Sequence, residues 1–167
     1  MKKTALYAGG VALFTAGLIV GSVMTSVSAQ VSPKGMRLNH VGVNARDFQQ
    51  TLDFYTKVMG FKVAFQFPSN NGRPSITFVQ IDRDTFLDID PPRPNVTPGL
   101  THIGVWVDDM DDAIAKIRAA GGTVSEPRPI AYSSERLADV IDPNGVRIEL
   151  TEQAPNAIMR KAIESWK

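Results

Sequence analysis

The chain has 167 residues, of which 43% are hydrophobic and 21% charged, with a formal net charge of +1 and no cysteine. This length and composition suit one globular domain plus a short extra segment. The lack of cysteine excludes a disulfide framework and a lipid-modified cysteine, and the near-neutral charge provides no basic field of the kind that predicts nucleic-acid binding.

The first residues have the pattern of an export signal. Two lysines precede an apolar run from Thr4 to Val27, and Ser28 and Ala29 complete a small-residue cleavage motif. We therefore predict a signal peptide over residues 1–29, a linker over residues 30–35, and a periplasmic or secreted domain. The run also approaches the roughly 20 residues that span a bilayer, so an uncleaved inner-membrane anchor is the alternative, and only then does the chain have a membrane partner.

The first half of the domain predicts the element order βαβββ. A single glycine, Gly60, ends the predicted helix. Alternation and helical spacing predict a strand over Met36–Asn44, a helix over Asp47–Met59, a strand over Phe61–Phe67, a loop over Pro68–Pro74, and a hairpin of Ile76–Ile81 and Thr85–Ile89.

The second half predicts the same order after a proline-rich connector over Pro91–Gly99. Its elements are a strand over Leu100–Val107, a helix over Met110–Ala120, a strand that begins within Thr123–Ser125, a loop over Glu126–Ser134, and a hairpin of Arg136–Ile141 and Val146–Thr151. We assign residues 36–153 to the duplicated domain and residues 154–167 to a C-terminal amphipathic helix.

Each half contains one of the two histidines of the chain in the same short phrase. Leu38-Asn39-His40-Val41-Gly42-Val43 returns 62 residues later as Leu100-Thr101-His102-Ile103-Gly104-Val105. An acidic residue stands in an apolar run near the end of each half, Asp88 in the first and Glu149 in the second. The duplication thus supplies two histidines and two carboxylates, which are common metal ligands.

Side-chain alternation predicts that these four residues share one face of the sheet. In each strand the candidate ligand points away from the more apolar side, which we expect to pack on the helices. His40, Asp88, His102 and Glu149 therefore face a common inner surface in this interpretation. A hydrogen-bonded histidine and a solvated carboxylate are the alternatives for each residue taken alone.

These phrases resemble the vicinal oxygen chelate superfamily, which includes glyoxalases, bleomycin-resistance proteins and extradiol dioxygenases. The resemblance extends from about Leu38 to Thr151 and includes His-Ile-Gly-Val-Trp-Val and Asp-Pro-Asn-Gly-Val-Arg-Ile-Glu-Leu. It implies an α+β fold in which two tandem βαβββ modules form a cupped, barrel-like mixed sheet with helices outside.

The resemblance implies one divalent metal ion, which is nickel, zinc, manganese, cobalt or iron(II), held by His40, Asp88, His102 and Glu149. Glyoxalase I has glutamate where this chain has Asp88, and without Asp88 the remaining ligands form a facial triad suited to iron(II) and dioxygen. Glyoxalase I also has an arginine at the position of Asn44 and an asparagine at that of Pro92, which disfavours glutathione as co-substrate.

The favoured function is an exported metal-dependent enzyme of lyase or isomerase type, acting on a small molecule chelated through vicinal oxygens, with Glu149 as the catalytic base. An extradiol-type iron(II) dioxygenase and a non-catalytic small-molecule binding module of the resistance type are the alternatives. We further predict that Trp106 and Arg136 contact the substrate, and that the sheet edges of two chains meet in a homodimer.

Overall fold

The computed structural model describes residues 35–68, 76–131 and 133–167. The predicted signal peptide, nearly all of the predicted linker and most of the loop predicted at Pro68–Pro74 lie outside these residues. In the part of the chain that is described, no helix is both long enough and apolar enough to cross a membrane.

The described residues contain one mixed sheet of eight strands in the order β2-β3-β4-β1-β5-β8-β7-β6. β1 lies parallel to β4 and β5 lies parallel to β8, while β1 and β5 pair antiparallel at the centre. The strands are β1 (Met36–Asn44), β2 (Lys62–Gln66), β3 (Thr77–Asp82), β4 (Thr85–Asp90), β5 (Gly99–Val107), β6 (Arg128–Ile130), β7 (Glu135–Ile141) and β8 (Arg147–Gln153). The two predicted βαβββ modules and their curled, cup-like sheet are confirmed.

The helices of the two modules begin at equivalent aspartates. Asp47 accepts a hydrogen bond from the Gln50 amide at the start of α1 (Phe48–Asp53), and Asp109 accepts one from the Asp112 amide at the start of α2 (Met110–Ala119). Aspartate is a favoured residue at this capping position because its side chain satisfies a free backbone N–H group. The repeat in the sequence thus fixes where both helices start.

α1 and α2 pack on one face of the sheet, as the predicted outer helices. The α1 side contains Val79, Leu87 and Ile89 with partly buried residues of the helix, and the α2 side contains Met110, Ala113 and Ile114 with Val107, Ala138 and Leu150. These strand residues are the apolar members of each alternating pattern. The opposite face of the same strands therefore carries the polar members.

α3 (Ile158–Glu164) packs on that opposite, inner face. Its residues Met159, Ala162 and Ile163 join a cluster with the strand residues Phe65, Phe78, Phe86 and Trp106. α3 thus lies on the opposite side of the sheet from α1 and α2, because its apolar residues cover the aromatic residues of the inner face.

Two predicted elements differ in detail from the structure. The first helix continues beyond α1 as a π-helical segment over Phe54–Val58, which ends with the Met59 amide bonded to the Phe54 carbonyl at 3.0 Å. In the second module only an isolated bridge at Val124 marks the strand predicted to begin at Thr123–Ser125. The edge strand is instead β6, inside the predicted loop, where Pro129 is tolerated because a strand at an edge needs fewer backbone donors.

Candidate metal centre

The central pair of strands places the two histidines beside each other. β1 and β5 run antiparallel with His40 opposite Gly104 and Gly42 opposite His102. Each imidazole thus lies over the glycine of the other module, with the two rings 5.2 Å apart between centroids. The repeated His-x-Gly phrase is what makes this crossed arrangement possible.

The two glycines leave the volume that the imidazoles occupy. A Cβ atom at Gly42 would lie 2.0 Å from a ring atom of His102, and one at Gly104 would lie 2.0 Å from a ring atom of His40. Any side chain at either position would displace the ring. These glycines are therefore required for close approach of the rings, whereas both residues have ordinary backbone conformations.

A neighbouring side chain orients each imidazole. His40 Nδ1 lies 3.1 Å from Asn39 Oδ1, and His102 Nδ1 lies 3.0 Å from Thr101 Oγ1. Because an amide oxygen accepts, His40 donates from Nδ1, and its neutral form, the form that binds a metal, keeps a lone pair on Nε2. Such outer partners fix the tautomer of metal-binding histidines, and here they direct both Nε2 atoms to the same point.

Three ligand atoms converge at this point. The two Nε2 atoms are 3.1 Å apart, and Glu149 Oε2 lies 3.7 Å from that of His40 and 3.6 Å from that of His102. Ligands about 2.1 Å from a shared ion lie roughly 3.0 to 3.4 Å from one another, so the imidazole pair matches and the carboxylate lies only slightly outside. His40, His102 and Glu149, all buried, can hold a divalent metal ion.

Asp88 lies at the border of this group. Its Oδ2 atom is 3.4 Å from His102 Nε2, but Asp88 does not belong to the set of mutually close ligand atoms found among the described residues. Its buried Oδ1 atom has no hydrogen-bond partner there. A buried carboxylate oxygen without a partner is costly, so this atom is consistent with a bound cation nearby, and the ligand role of Asp88 stays a prediction.

Arg147 holds the other oxygen of Glu149. Its Nη2 atom donates to Glu149 Oε1, and its Nε atom donates to Asp139 Oδ1 at 3.0 Å. Both oxygens of Glu149 are thereby occupied, one by the guanidinium and one by the histidine pair. This fixes the carboxylate in the orientation that a metal ligand needs.

The ionisation of the site follows from these contacts. Burial alone would raise the pKa of Glu149, but the hydrogen bond with His40 and the positive charges of His102 and Arg147 outweigh it, so the pKa is lowered. Burial would likewise lower the pKa of His102, yet the hydrogen bond with Asp88 and the charges of Asp88 and Glu149 raise it. In the metal-free centre these contacts thus favour the ionised carboxylate of Glu149 and the protonated imidazole of His102.

The centre opens into a cavity of about 230 Å³. Its walls are aromatic and aliphatic on the side of the first module, where Phe78 meets His40 edge-on at 5.8 Å. Charged residues on the walls, besides the four predicted ligands, are Asp90, Arg93, Arg128, Glu135 and Arg147. A mostly apolar cavity with a few convergent polar groups is the usual form of a small-molecule site.

The two predicted substrate contacts lie elsewhere. Trp106 shares the inner face with His102 but packs under α3, between the guanidinium groups of Arg37 and Arg160 at 4.3 and 4.9 Å from its ring. Arg136 pairs with Asp111 at 2.7 Å and with Glu152 at 3.0 Å. Neither residue is part of the cavity lining, and their contact with substrate stays a prediction.

Glu135 and Arg147 are cavity residues that the sequence interpretation missed. Alternation along β7 places Glu135 on the same face as Leu137, which also lines the cavity, and Arg147 shares its face of β8 with Glu149. Both could have been found from this alternation. The predicted strand began at Arg136, so Glu135 lay in the predicted loop, and Arg147 was not considered as a cavity residue.

Comparison with known proteins agrees with this fold and site. The model of the Glyoxalase/Bleomycin resistance protein/Dioxygenase superfamily matches residues 37–150. Among solved structures, methylmalonyl-CoA epimerase of Streptomyces coelicolor superposes with a TM-score of 0.61 at 22% identity, over 72% of this chain and 99% of that one. The epimerase from Mycobacterium tuberculosis gives 0.63 at 19% identity, over 76% and 95%. At these identities the likeness shows the fold.

The chain therefore belongs to the glyoxalase/bleomycin resistance/dioxygenase superfamily, the vicinal oxygen chelate class. Within it, the chain is similar to lactoylglutathione lyases. It is 32% identical to that of Escherichia coli O157:H7 over 126 residues, which are 71% of this chain and 93% of the relative. It is 29% identical to that of Neisseria meningitidis serogroup A, over 71% and 91%.

Proposed function

We propose that the chain is a divalent-metal-dependent enzyme of the lyase or isomerase type, which moves a proton between or at neighbouring carbons of a small substrate chelated through vicinal oxygens. The observation that carries this proposal is the convergence of His40 Nε2, His102 Nε2 and Glu149 Oε2 in the wall of a substrate-sized cavity. The lyase names of similar sequences support the reaction type.

In this proposal the ligands, the residues that orient them and the arginines of the cavity wall have separate roles. A divalent ion on His40, His102 and Glu149 supplies a Lewis acid for the substrate oxygens. Asn39 and Thr101 keep the imidazoles turned to the ion, and Phe78 closes one side of the site against water. The guanidinium groups of Arg93, Arg128 and Arg147 in the wall favour a substrate that carries negative charge.

The substrate we propose is not a glutathione adduct. The buried amide of Asn44 donates one of its two N–H groups to the Val96 carbonyl at 3.1 Å, so it holds the connector. Pro92, the second position that differs from glyoxalase I, has no polar side chain. Both observations support a smaller ligand that the cavity encloses without a peptide arm.

Extradiol-type oxygenation is the second candidate. It is favoured by the donor set itself, because two imidazoles and one carboxylate are typical of iron(II) oxygenases. The separation of Asp88 from the mutually close ligand atoms supports it. The identity of the ion distinguishes this candidate from the first.

We test the proposal by elemental analysis of the mature domain, purified without chelators or a histidine tag, beside the His40→Ala/His102→Ala double variant. The expected result is about one equivalent of metal per chain, lost in the double variant while circular dichroism stays unchanged. An exposed glutamine substitution, Glu126→Gln, is the matched control and should retain the metal. Iron would favour oxygenation, and nickel, zinc, cobalt or manganese would favour proton transfer. No metal after reconstitution with each ion would overturn both and leave a binding module.

We also propose that the domain is exported and forms a homodimer. The leader composition supports export, and the sheet edges at β2 and β6 with exposed Val63 on β2 support self-association. N-terminal sequencing of protein from a periplasmic fraction tests the first, with Gln30 expected as the first residue. Light scattering on the same sample tests the second, and a monomer mass would contradict it.

A further inference from the structure

We propose that Glu135, not Glu149, takes the proton from the substrate and returns it. The inference rests on the proposed proton-transfer function and assigns its acid–base residue. It follows from the contacts of the two carboxylates. Both oxygens of Glu149 already have partners, whereas Oε1 of Glu135 has no hydrogen-bond partner among the described residues.

Glu135 is built into the cavity wall. It is only 6% exposed, begins β7 on the inner face, and lines the same cavity as the histidine pair. Its Oε1 atom is buried and has no hydrogen-bond partner among the described residues. Buried carboxylate oxygens are nearly always hydrogen-bonded because desolvation is costly. A partner supplied by the substrate accounts for this oxygen.

Glu149 is arranged for a different role. Its Oε1 atom accepts from Arg147, and its Oε2 atom faces both imidazoles. To accept a proton from carbon, it would have to leave one of these partners. Glu135 makes no such contact with the predicted ligands and can react without disturbing them.

The electrostatic environment supports this division. Burial raises the pKa of Glu135 to about 6, while a hydrogen bond with Ser133 and the nearby His40 oppose the rise and the charge of Glu149 adds to it. Such a carboxylate is ionised at neutral pH yet remains a stronger base than an exposed one. A general base is most effective when its pKa lies near the working pH.

The proposed step moves one proton and one electron pair. The C–H bond next to the substrate carbonyl breaks and its proton forms an O–H bond on Glu135 Oε1. The electron pair forms the carbon–carbon double bond, and the carbonyl π pair moves onto oxygen as an enolate. Return of the proton from Glu135 to the same carbon restores the substrate with its hydrogen exchanged. Return to the neighbouring carbon, while the substrate hydroxyl passes its proton to the enolate oxygen and becomes the new carbonyl, yields the isomer and restores the carboxylate.

The test uses the metal-loaded mature chain and two probes, in deuterium oxide. The probes are acetoin, an α-hydroxyketone with vicinal oxygens, and the hemithioacetal of methylglyoxal with a small thiol. Proton NMR measures exchange of the carbon-bound hydrogen in wild type, Glu135→Gln and the exposed control Glu126→Gln. Metal content and line broadening of the probes by a bound manganese ion are measured on the same samples.

We expect Glu135→Gln to lower the exchange rate by about 100-fold or more, with metal content and probe broadening unchanged. Glu126→Gln should behave as wild type. Exchange in wild type that Glu135→Gln leaves undiminished would overturn the inference and leave the proposed function standing. Loss of metal or of probe broadening in Glu135→Gln would also overturn it, since Glu135 would then act in binding. Wild-type protein that holds metal but exchanges none of the probes would overturn the proposed function itself.

Discussion

Gly42 on β1 lies directly opposite His102 on β5, and the imidazole occupies the place where a side chain of residue 42 would project. Gly104 bears the same relation to His40. The metal centre thus requires glycine at positions 42 and 104 as well as the ligands themselves.

Replacing Gly42 by alanine should abolish metal binding. The new Cβ would meet three ring atoms of His102 at 2.0 to 2.6 Å, so the ring must turn away from His40. We expect metal affinity to fall by about 100-fold or more, measured by competition with a fluorescent chelator.

The control is Gly121→Ala, at a residue with a φ of +85° and no atom within 4 Å of the added Cβ. This change should cost about 1 kcal/mol of unfolding free energy through backbone strain, and it should leave metal affinity unchanged. If both variants lose metal equally, general destabilisation rather than displacement of His102 is the cause.

Asp88 should modulate metal binding without being required for it. Its Oδ2 atom approaches only His102 Nε2, at 3.4 Å. We expect Asp88→Ala to weaken metal binding by about tenfold to 100-fold, and His102→Ala to abolish it. Asp88→Glu, one methylene longer, should restore or strengthen binding. Complete loss in Asp88→Ala would instead make Asp88 a full ligand, as glutamate is in glyoxalase I.

Arg147 should affect the metal through Glu149. Replacement by methionine removes the donor to Glu149 Oε1, while Asp139 keeps its ion pair with Arg128 at 2.7 Å. Because the carboxylate is then free to rotate, we expect metal affinity to fall by about tenfold to 100-fold. Arg118→Met, which breaks an exposed pair with Glu126, is the matched control. Tighter binding in Arg147→Met would mean that repulsion between the guanidinium and the ion outweighs orientation.

Glu135 should make the metal-free protein less stable above pH 6. Its pKa is about 6 in the fold against 4.5 for the free side chain, so the stability it contributes is complete below pH 4.5 and is lost as the pH rises through 6. The difference corresponds to about 2 kcal/mol of unfolding free energy.

Urea unfolding in the presence of a chelator, at pH 4 and at pH 7, measures this effect. The advantage of Glu135→Gln over wild type should grow by about 2 kcal/mol between the two pH values. The comparison measures the titration of Glu135 together with its interactions with His40, Glu149 and Ser133, the groups that act on it. A constant difference across this range would show that Glu135 titrates normally. Glu126→Gln should follow wild type at both pH values.

The duplicated phrase was sufficient to predict most of the fold and the position of the centre. His40 and His102 could be placed on one face because alternation in a strand fixes which residues share a side. The crossed fit of each glycine under the other module's imidazole was not predictable, since it depends on the antiparallel register of β1 and β5. The sequence has no signal for that register.

Cavity residues were harder to predict than ligands. Arg136 and Glu135 are neighbours, yet one pairs with Asp111 at the surface and the other lines the cavity. The predicted strand began one residue late, at Arg136, so Glu135 lay in the predicted loop and alternation was not applied to it. Trp106 was placed on the correct face, but the cover provided by α3 depends on a tertiary contact that alternation cannot reveal.

The two modules also give the cavity walls of different chemistry, which two identical halves could not have. Phe78 pairs with Asp88 in the first module, whereas Asp139 pairs with Glu149 at the equivalent place in the second. His40 consequently has the Phe78 ring at its side, whereas Glu149 is held by Arg147, which also pairs with Asp139. A molecule in the cavity therefore meets an apolar wall on the side of the first module and a more charged wall on the side of the second. An unsymmetrical compound is therefore expected to bind with its apolar part toward Phe78 and its negatively charged part toward Arg147.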